Sequence, residues 1–191
     1  MGRHKEFDQK QGLETARNLF WNKGYHATSM NDLVSEMKVC RSSLYETYGD
    51  KHELFLKSLN DYALDTHNEY QKAAAGISSP IKSIKAIIQK AIDRSFEKEK
   101  VCMSVKSSFE LSPSDPIVQK ALQTQVNNLA AIFEKLILSA QQKNEISAIK
   151  NAKQLAYFIV ASFAGFWQMQ TLFNNKQMVL NMAKILMESI T

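Results

Sequence analysis

Arg41, Ser42, Ser43, Tyr45 and Lys51 lie close together in the chain, and each can donate hydrogen bonds to a phosphate or to the edge of a base. An arginine can hold guanine or a phosphate through two parallel bonds, whereas a serine hydroxyl suits either partner. Such side chains read nucleic acid only when one rigid element presents them together. Here the element is a short helix. Leu44, Tyr45 and Tyr48 recur at i, i+1 and i+4 and define its buried side, which leaves Arg41, Ser42, Ser43, Glu46 and Thr47 on the open side. Gly49 can take the left-handed conformation that ends it.

Two further elements must hold that helix in place. Ser29 and Asp32 have the spacing of a capping box, so a helix starts there, with Leu33, Val34 and Met37 as its buried stripe. Val39 interrupts the polar connection as an inward plug. Asp50 with Glu53 repeats the capping box, so a third helix begins at Lys51. Two short helices joined by a tight turn form a helix-turn-helix, whose second helix can enter the DNA major groove. A helical hairpin with a merely polar face has the same spacing, so residue identities must separate the two.

The string VCRSSLYETYGDKHELF closely resembles the DNA-binding segment of TetR-family (TetR/AcrR) transcriptional regulators, with the Leu-Tyr pair, the second aromatic, the Lys and the Leu-Phe in register. The stretch ARNLFWNKGYHATS is similar to the first helix and link of the same proteins. The resemblance implies that Arg41, Ser42, Ser43, Glu46 and Thr47 face the groove, that Tyr45 and Lys51 clamp phosphates, and that Thr28 and Ser29 form a phosphate-contacting pair. Ser29 can equally serve as a helix cap. Three positions depart from the pattern: Cys40 stands where Ser is usual and is a weak N-cap, Ser42 replaces Gly, and Thr47 replaces an aromatic or His. Base preference therefore does not carry over from relatives.

Composition sets the surroundings. With 191 residues, 6 Gly and 3 Pro, the chain can build a full core with few breakers, and its apolar spacing is helical nearly throughout; an all-α fold is expected. The net charge is +5, but residues 1–52 hold eight Lys and Arg against seven Asp and Glu, a net of only +1. Placement of charge must carry DNA affinity. Cys40 and Cys102 give no disulfide framework, and the first residues lack an apolar leader, so a cytoplasmic setting is expected. The run from Leu155 to Trp167 is too short to span a bilayer, and no membrane association is expected. His4, His26, His52 and His67 have no metal-ligand spacing, and no P-loop, nucleotide or hydrolase fingerprint is present. No catalytic residues, metal or cofactor are expected.

Asp8 can cap a helix to Lys23, closed by Gly24, with Leu13, Ala16, Leu19 and Phe20 buried. Arg3, His4 and Lys5 form a polar arm before it. A long helix from Lys51 to about Ala75 joins the DNA-binding part to the rest. Ser79-Pro80 opens the next, with Ile84, Ile88, Ala91 and Ile92 recurring at helical spacing. Val101 to Leu111 forms a short helix. Asp115-Pro116 opens a helix to about Lys143 whose seam is Leu122, Val126, Leu129, Phe133, Leu136 and Ala140. The helix from Asn151 to Phe173 is apolar on more than one face, and Gln177 to Ile190 follows. One chain has too few helices to cover this pair, so a second copy is expected to pack on it in a four-helix homodimer bundle.

The resemblance implies the same plan: an N-terminal three-helix DNA-binding domain, residues 1–52, and a C-terminal helical ligand-binding and dimerisation domain, residues 53–191. The function it implies is a DNA-binding regulator, a repressor by usual family behaviour, that binds a palindromic double-stranded operator as a homodimer. A small-molecule effector would enter a C-terminal pocket and spoil the spacing of the two recognition helices. Candidate lining residues are Tyr62, Phe96, Met103, Phe109, Phe133, Phe163 and Trp167, all of types that also fill cores; His67 is a further candidate for hydrogen bonding a ligand. The segment KVCMSVKSSFELSPSDPIV is similar to a TetR subgroup that includes the N-ethylmaleimide repressor, although Val101 stands where Gly is usual. In that subgroup some members sense electrophiles, which makes Cys102, flanked by Lys98, Lys100 and Lys106, and secondarily Cys40, redox candidates. The remaining alternative is a helical dimeric binding module that has lost DNA binding.

Overall fold

A computed structural model of the protein describes residues 8–97 and 101–191; the expected roles of Arg3, His4, Lys5, Lys98 and Lys100 fall outside them. The described residues form helices and no strand, so the fold is all-α. Local capping decides where most helices begin. Asp8 accepts the backbone N–H groups of Lys10 and Gln11 at the head of α1 (Gln9–Lys23), and Ser29 with Asp32 completes a capping box on α2 (Met30–Met37). A second capping box, Asp50 with Glu53, starts α4 (Lys51–Ala74). Between them lies α3 (Arg41–Tyr48), ended by Gly49 at φ 84°, where a side chain would also collide with Glu53.

Phe20, Leu33, Met37, Leu44, Tyr48 and Phe55 bury the seam of this first unit, and Phe20 meets Phe55 edge to face at 5.2 Å. The Tyr48 hydroxyl donates to the Gln9 carbonyl at 2.6 Å, locking the end of α3 to the start of α1. Arg17 of α1 bonds both Asp61 and Asp65 of α4. Helix α4 thus runs unbroken across the expected boundary at residue 52 and belongs to both halves.

The second half comprises α5 (Pro80–Glu97), α6 (Met103–Glu110), α7 (Pro116–Gln142), α8 (Ala152–Phe173) and α9 (Lys176–Ile190). Helix α5 is the central member: it packs against α4, α7, α8 and α9 and buries Ile84, Ile87, Ile88, Ala91 and Ile92. The expected α7 seam is corrected in part. Val118, Leu122, Ala130, Phe133, Ile137 and Ala140 are buried, whereas Val126 is exposed and Leu129 and Leu136 are half-buried. A 3.6-residue helix drifts off a strict 4-3 spacing, and near Val126 it borders a cavity rather than another helix.

A DNA-reading surface and the cavity behind it

On the first unit, Arg41, Ser42 and Glu46 are exposed on α3 as expected, whereas Ser43 and Thr47 are only half-exposed. Tyr45, expected on the buried side, is corrected to exposed, because this two-turn helix packs on Leu44 and Tyr48 alone. Ahead of them Lys38 occupies the left-handed region at φ 54° and is exposed in the turn between α2 and α3. That cation lies three residues ahead of Arg41; its only signal in the sequence is a lysine in the turn. Lys51, half-buried at the head of α4, holds its ammonium 4.3 Å from the Tyr25 ring centre. Burial lowers its pKa, opposed by the carboxylates of Glu110 and Asp32.

Thr28 is a correction. It is fully buried, and its hydroxyl donates to the Gly24 carbonyl at 2.6 Å, so it fixes the link between α1 and α2 and has no hydroxyl to offer a phosphate. Ser29 is exposed, and its hydroxyl is engaged with Asp32. The Asp32 carboxyl is held well below the usual carboxylate range by the Lys23 ammonium and by the backbone N–H and hydroxyl of Ser29.

Cys40 sits at the N-cap of α3 but makes no side-chain capping bond. Its sulfur lies 3.2 Å from Ser42 Oγ and 3.0 Å from Ser43 Oγ. Those hydroxyls, Ser42 first, push the thiol down to about 7. Two of the hydroxyls expected to meet DNA are therefore shared with a sulfur when the protein is free.

Behind the DNA-reading unit, α4, α6, α7 and α8 line a cavity of about 460 Å³ that opens to solvent past the exposed Leu64, Thr124 and Asn128, within the roughly 300–1,000 Å³ of small-molecule sites. Tyr62, Phe163 and Trp167 line it, as do Cys102 and His67. Phe163 meets Trp167 edge to face at 6.0 Å. The other four expected lining residues are corrected. Met103 and Phe133 are buried behind the wall, in core contacts. Phe96 is half-buried on α5 beside the Lys176 ammonium, and Phe109 is 80% exposed, because α6 turns that position outward. Tyr70, which is not among the expected lining residues, also lines the cavity. Its position on α4 gave no sign that a neighbouring helix would stand off from it.

Next to the wall, Arg94 is buried, bonded to Glu69 at 2.7 Å and to Thr66 Oγ1 at 3.1 Å. Cys102 is buried too, whereas Cys40 is exposed. Among the described residues no three His, Cys, Asp or Glu side chains cluster as metal ligands, and no helix is long and apolar enough to cross a membrane.

One short helix touches both sites. Helix α6 contributes Ser104 and Val105 to the cavity wall. On its other side the Lys106 ammonium donates to the carbonyls of Trp21 at 3.2 Å and Asn22 at 3.0 Å, where a cation suits the end of α1. Glu110 accepts the His26 backbone N–H at 2.8 Å, and its carboxylate occupies space that only a glycine at position 24, φ 90°, leaves open. The Trp21 indole donates to the Val101 carbonyl at 2.6 Å, and His52 meets Asp115 at 2.7 Å.

A helix-turn-helix with exposed donors, carried on an all-helical body, defines a class of helical DNA-binding proteins. The family model described as "Bacterial regulatory proteins, tetR family" matches residues 13–57, and "Tetracyclin repressor-like, C-terminal domain" matches residues 80–186. The chain belongs to the TetR family of DNA-binding transcriptional regulators, which are not enzymes. It is 32% identical over 149 residues to the uncharacterised HTH-type transcriptional regulator YezE of Bacillus subtilis, covering 77% of each chain. To the HTH-type transcriptional repressor ComR of Escherichia coli it is 26% identical over 161 residues, covering 83% of this chain and 77% of that one. A solved structure of the TetR-family regulator CifR, a cysteine mutant in complex with 26 bp double-strand operator DNA, matches in fold with a TM-score of 0.88 at 20% identity, covering 100% of both chains.

Proposed function

We propose that the protein is a ligand-released repressor that binds a palindromic operator as a homodimer. The observation that carries this reading is α6, which walls the cavity with one side and grips the end of α1 with the other. A ligand that pushes Ser104 and Val105 outward shifts Lys106 and Glu110, and with them the angle of the DNA-reading unit. Two recognition helices must stand about 34–36 Å apart to meet successive major grooves, so a small rotation in each copy abolishes the fit. Arg41, Ser42, Ser43, Glu46 and Thr47 are the groove-facing set, and Tyr45, Lys51 and Ser29 contact phosphates, joined by Lys38.

The dimer reading is supported by the outer face of α8 and α9. Phe158, Leu172 and Phe173 on α8 and Ile185 on α9 are 50–65% exposed in the single chain. Ala161 and Gly165 lie on the stripe between Phe158 and Leu172, and a Cβ at Gly165 would meet nothing within 4 Å, which leaves room for a helix of a second copy to approach closely.

Selection of binding sites from random double-stranded DNA tests the function. Enrichment of a palindrome by the wild type, lost in a Tyr45→Phe, Lys51→Ala double variant, is the expected result; absence of any enriched sequence refutes DNA reading. A thiol-triggered release is the second reading, favoured by the exposed Cys40 and its lowered pKa at the head of α3. Mass spectrometry after mild N-ethylmaleimide treatment decides it, since a regulator with no adduct on Cys40 or Cys102 does not work that way.

A further inference from the structure

The chemistry of the cavity wall limits what the effector can be. No Asp, Glu, Lys or Arg is among its lining residues, so a bound cation would have no carboxylate in contact with it and a bound anion no permanent cation, only the imidazole of His67. The nearest buried cation, Arg94, is already neutralised by Glu69 at 2.7 Å. Most of the lining surface comes from aromatic and aliphatic side chains such as Tyr62, Phe163 and Trp167.

One buried polar group of the wall is unmatched among the described residues. Tyr70 is 1% exposed, and its hydroxyl has no hydrogen-bond partner among the described residues. Buried hydroxyls are nearly always paired, so an orphan one on a residue that lines a cavity points to a partner that arrives from outside, reached by a small shift of the side chain because the oxygen is covered in the free protein. Burial pushes the phenol far above its ordinary value, so the group remains an O–H donor at any physiological pH. Tyr62 and Cys102 stand close by and form a polar patch with Tyr70 among the buried residues of the wall, while Asn60, Thr124 and Asn128 are exposed polar residues of the lining.

We propose that the cavity takes an uncharged, mainly apolar ligand with one carbonyl-type oxygen, and that Tyr70 donates the hydrogen bond that recognises it. The proposal rests on the reading of this cavity as the effector site. A fused two-ring aromatic ketone has suitable chemistry: its rings meet Phe163 and Trp167, its oxygen meets Tyr70, and it does not alkylate thiols, so its binding is separable from cysteine chemistry.

Calorimetric titration of the full chain, without DNA, with three probes of one ring system tests this. 2-Acetylnaphthalene supplies the neutral oxygen, 2-ethylnaphthalene lacks it, and 2-naphthoate replaces it with an anion. The wild type is expected to bind the ketone about tenfold more tightly than the hydrocarbon, the factor of one net hydrogen bond, and the naphthoate more weakly than either. In Tyr70→Phe the ketone and hydrocarbon affinities should converge. Naphthoate binding as tight as the ketone overturns the proposal, as does a ketone preference that survives in Tyr70→Phe, or absence of binding by both neutral probes. The three-probe comparison on the wild type stands by itself if the variant does not fold. An enriched palindrome with no ketone preference sinks the ligand class alone; a ketone preference with no enriched DNA sinks the regulator reading alone.

Discussion

Replacing Lys106 by methionine keeps the aliphatic stem and removes the ammonium that joins α6 to the end of α1. Two carbonyls lose a charged donor, Trp21 at 3.2 Å and Asn22 at 3.0 Å. The Asn22 bond is exposed, so water replaces much of it; the Trp21 bond is partly buried and loses more. A charge-assisted bond is worth ~1.5–3 kcal/mol when buried, and a cation at a helix end ~0.3–1 kcal/mol at the surface, so a net loss of about 1–2 kcal/mol is expected. For a chain of this size that lowers the thermal midpoint by roughly 2–8 °C. The functional consequence is separable. If α6 transmits cavity occupancy to the DNA-reading unit, the ratio of operator affinities without and with a cavity ligand shrinks by roughly 5- to 30-fold, the same free energy read as binding. Urea unfolding measures the first quantity, and fluorescence anisotropy of labelled operator DNA with and without 2-acetylnaphthalene measures the second. Lys135→Met, an exposed position on α7, serves as the control. A Lys106→Met protein with wild-type stability and an unchanged affinity ratio would refute the coupling through α6.

Phe158→Glu places a charge on the exposed α8 stripe and is expected to convert a dimer into a folded monomer; sedimentation of the variant as a dimer at micromolar concentration counts against this face as the interface. Cys40, with its thiol near 7, should react with iodoacetamide along a pH profile whose midpoint lies near neutrality, while buried Cys102 stays unlabelled until the protein unfolds. A midpoint above pH 8.5 at Cys40 contradicts the influence of the two serines. Burial pushes the Asp115 carboxyl up, but the backbone N–H of Val118, the His52 ring and the N–H of Ile117 together hold it below its ordinary value. Folding therefore favours the carboxylate. That contribution is complete above about pH 3.9, the ordinary aspartate value, and is lost as pH falls through the lower folded value. Asp115→Asn should flatten this acid-side slope in the thermal midpoint; an unaltered slope removes Asp115 as its source.

Much of the DNA-reading unit was legible because its determinants are local. A hydroxyl or carboxylate three residues ahead of an acid fixes a helix start, and Gly49 fixes an end, without reference to the rest of the chain. The cavity was not legible in the same way. Tyr62, Phe163 and Trp167 line it, but Phe133, of the same type, is core, and Phe109 faces water. Helical spacing says which residues share a face and is silent on whether that face meets a neighbour, a void or solvent.

The sequence by itself determined the all-α class, the positions of the caps and breaks, the helix-turn-helix and its exposed Arg41, Ser42 and Glu46, whereas Tyr45, which helical spacing put on the buried side, is exposed. Only the tertiary structure decided that Thr28 turns inward to Gly24, that Tyr70 lies unpaired against an open volume, and that α6 spans from that volume to the end of α1. The division follows from range. Caps and turns are settled by groups within about four residues, whereas a cavity and a bridge exist only where segments distant in the chain fail to meet, or meet through a third.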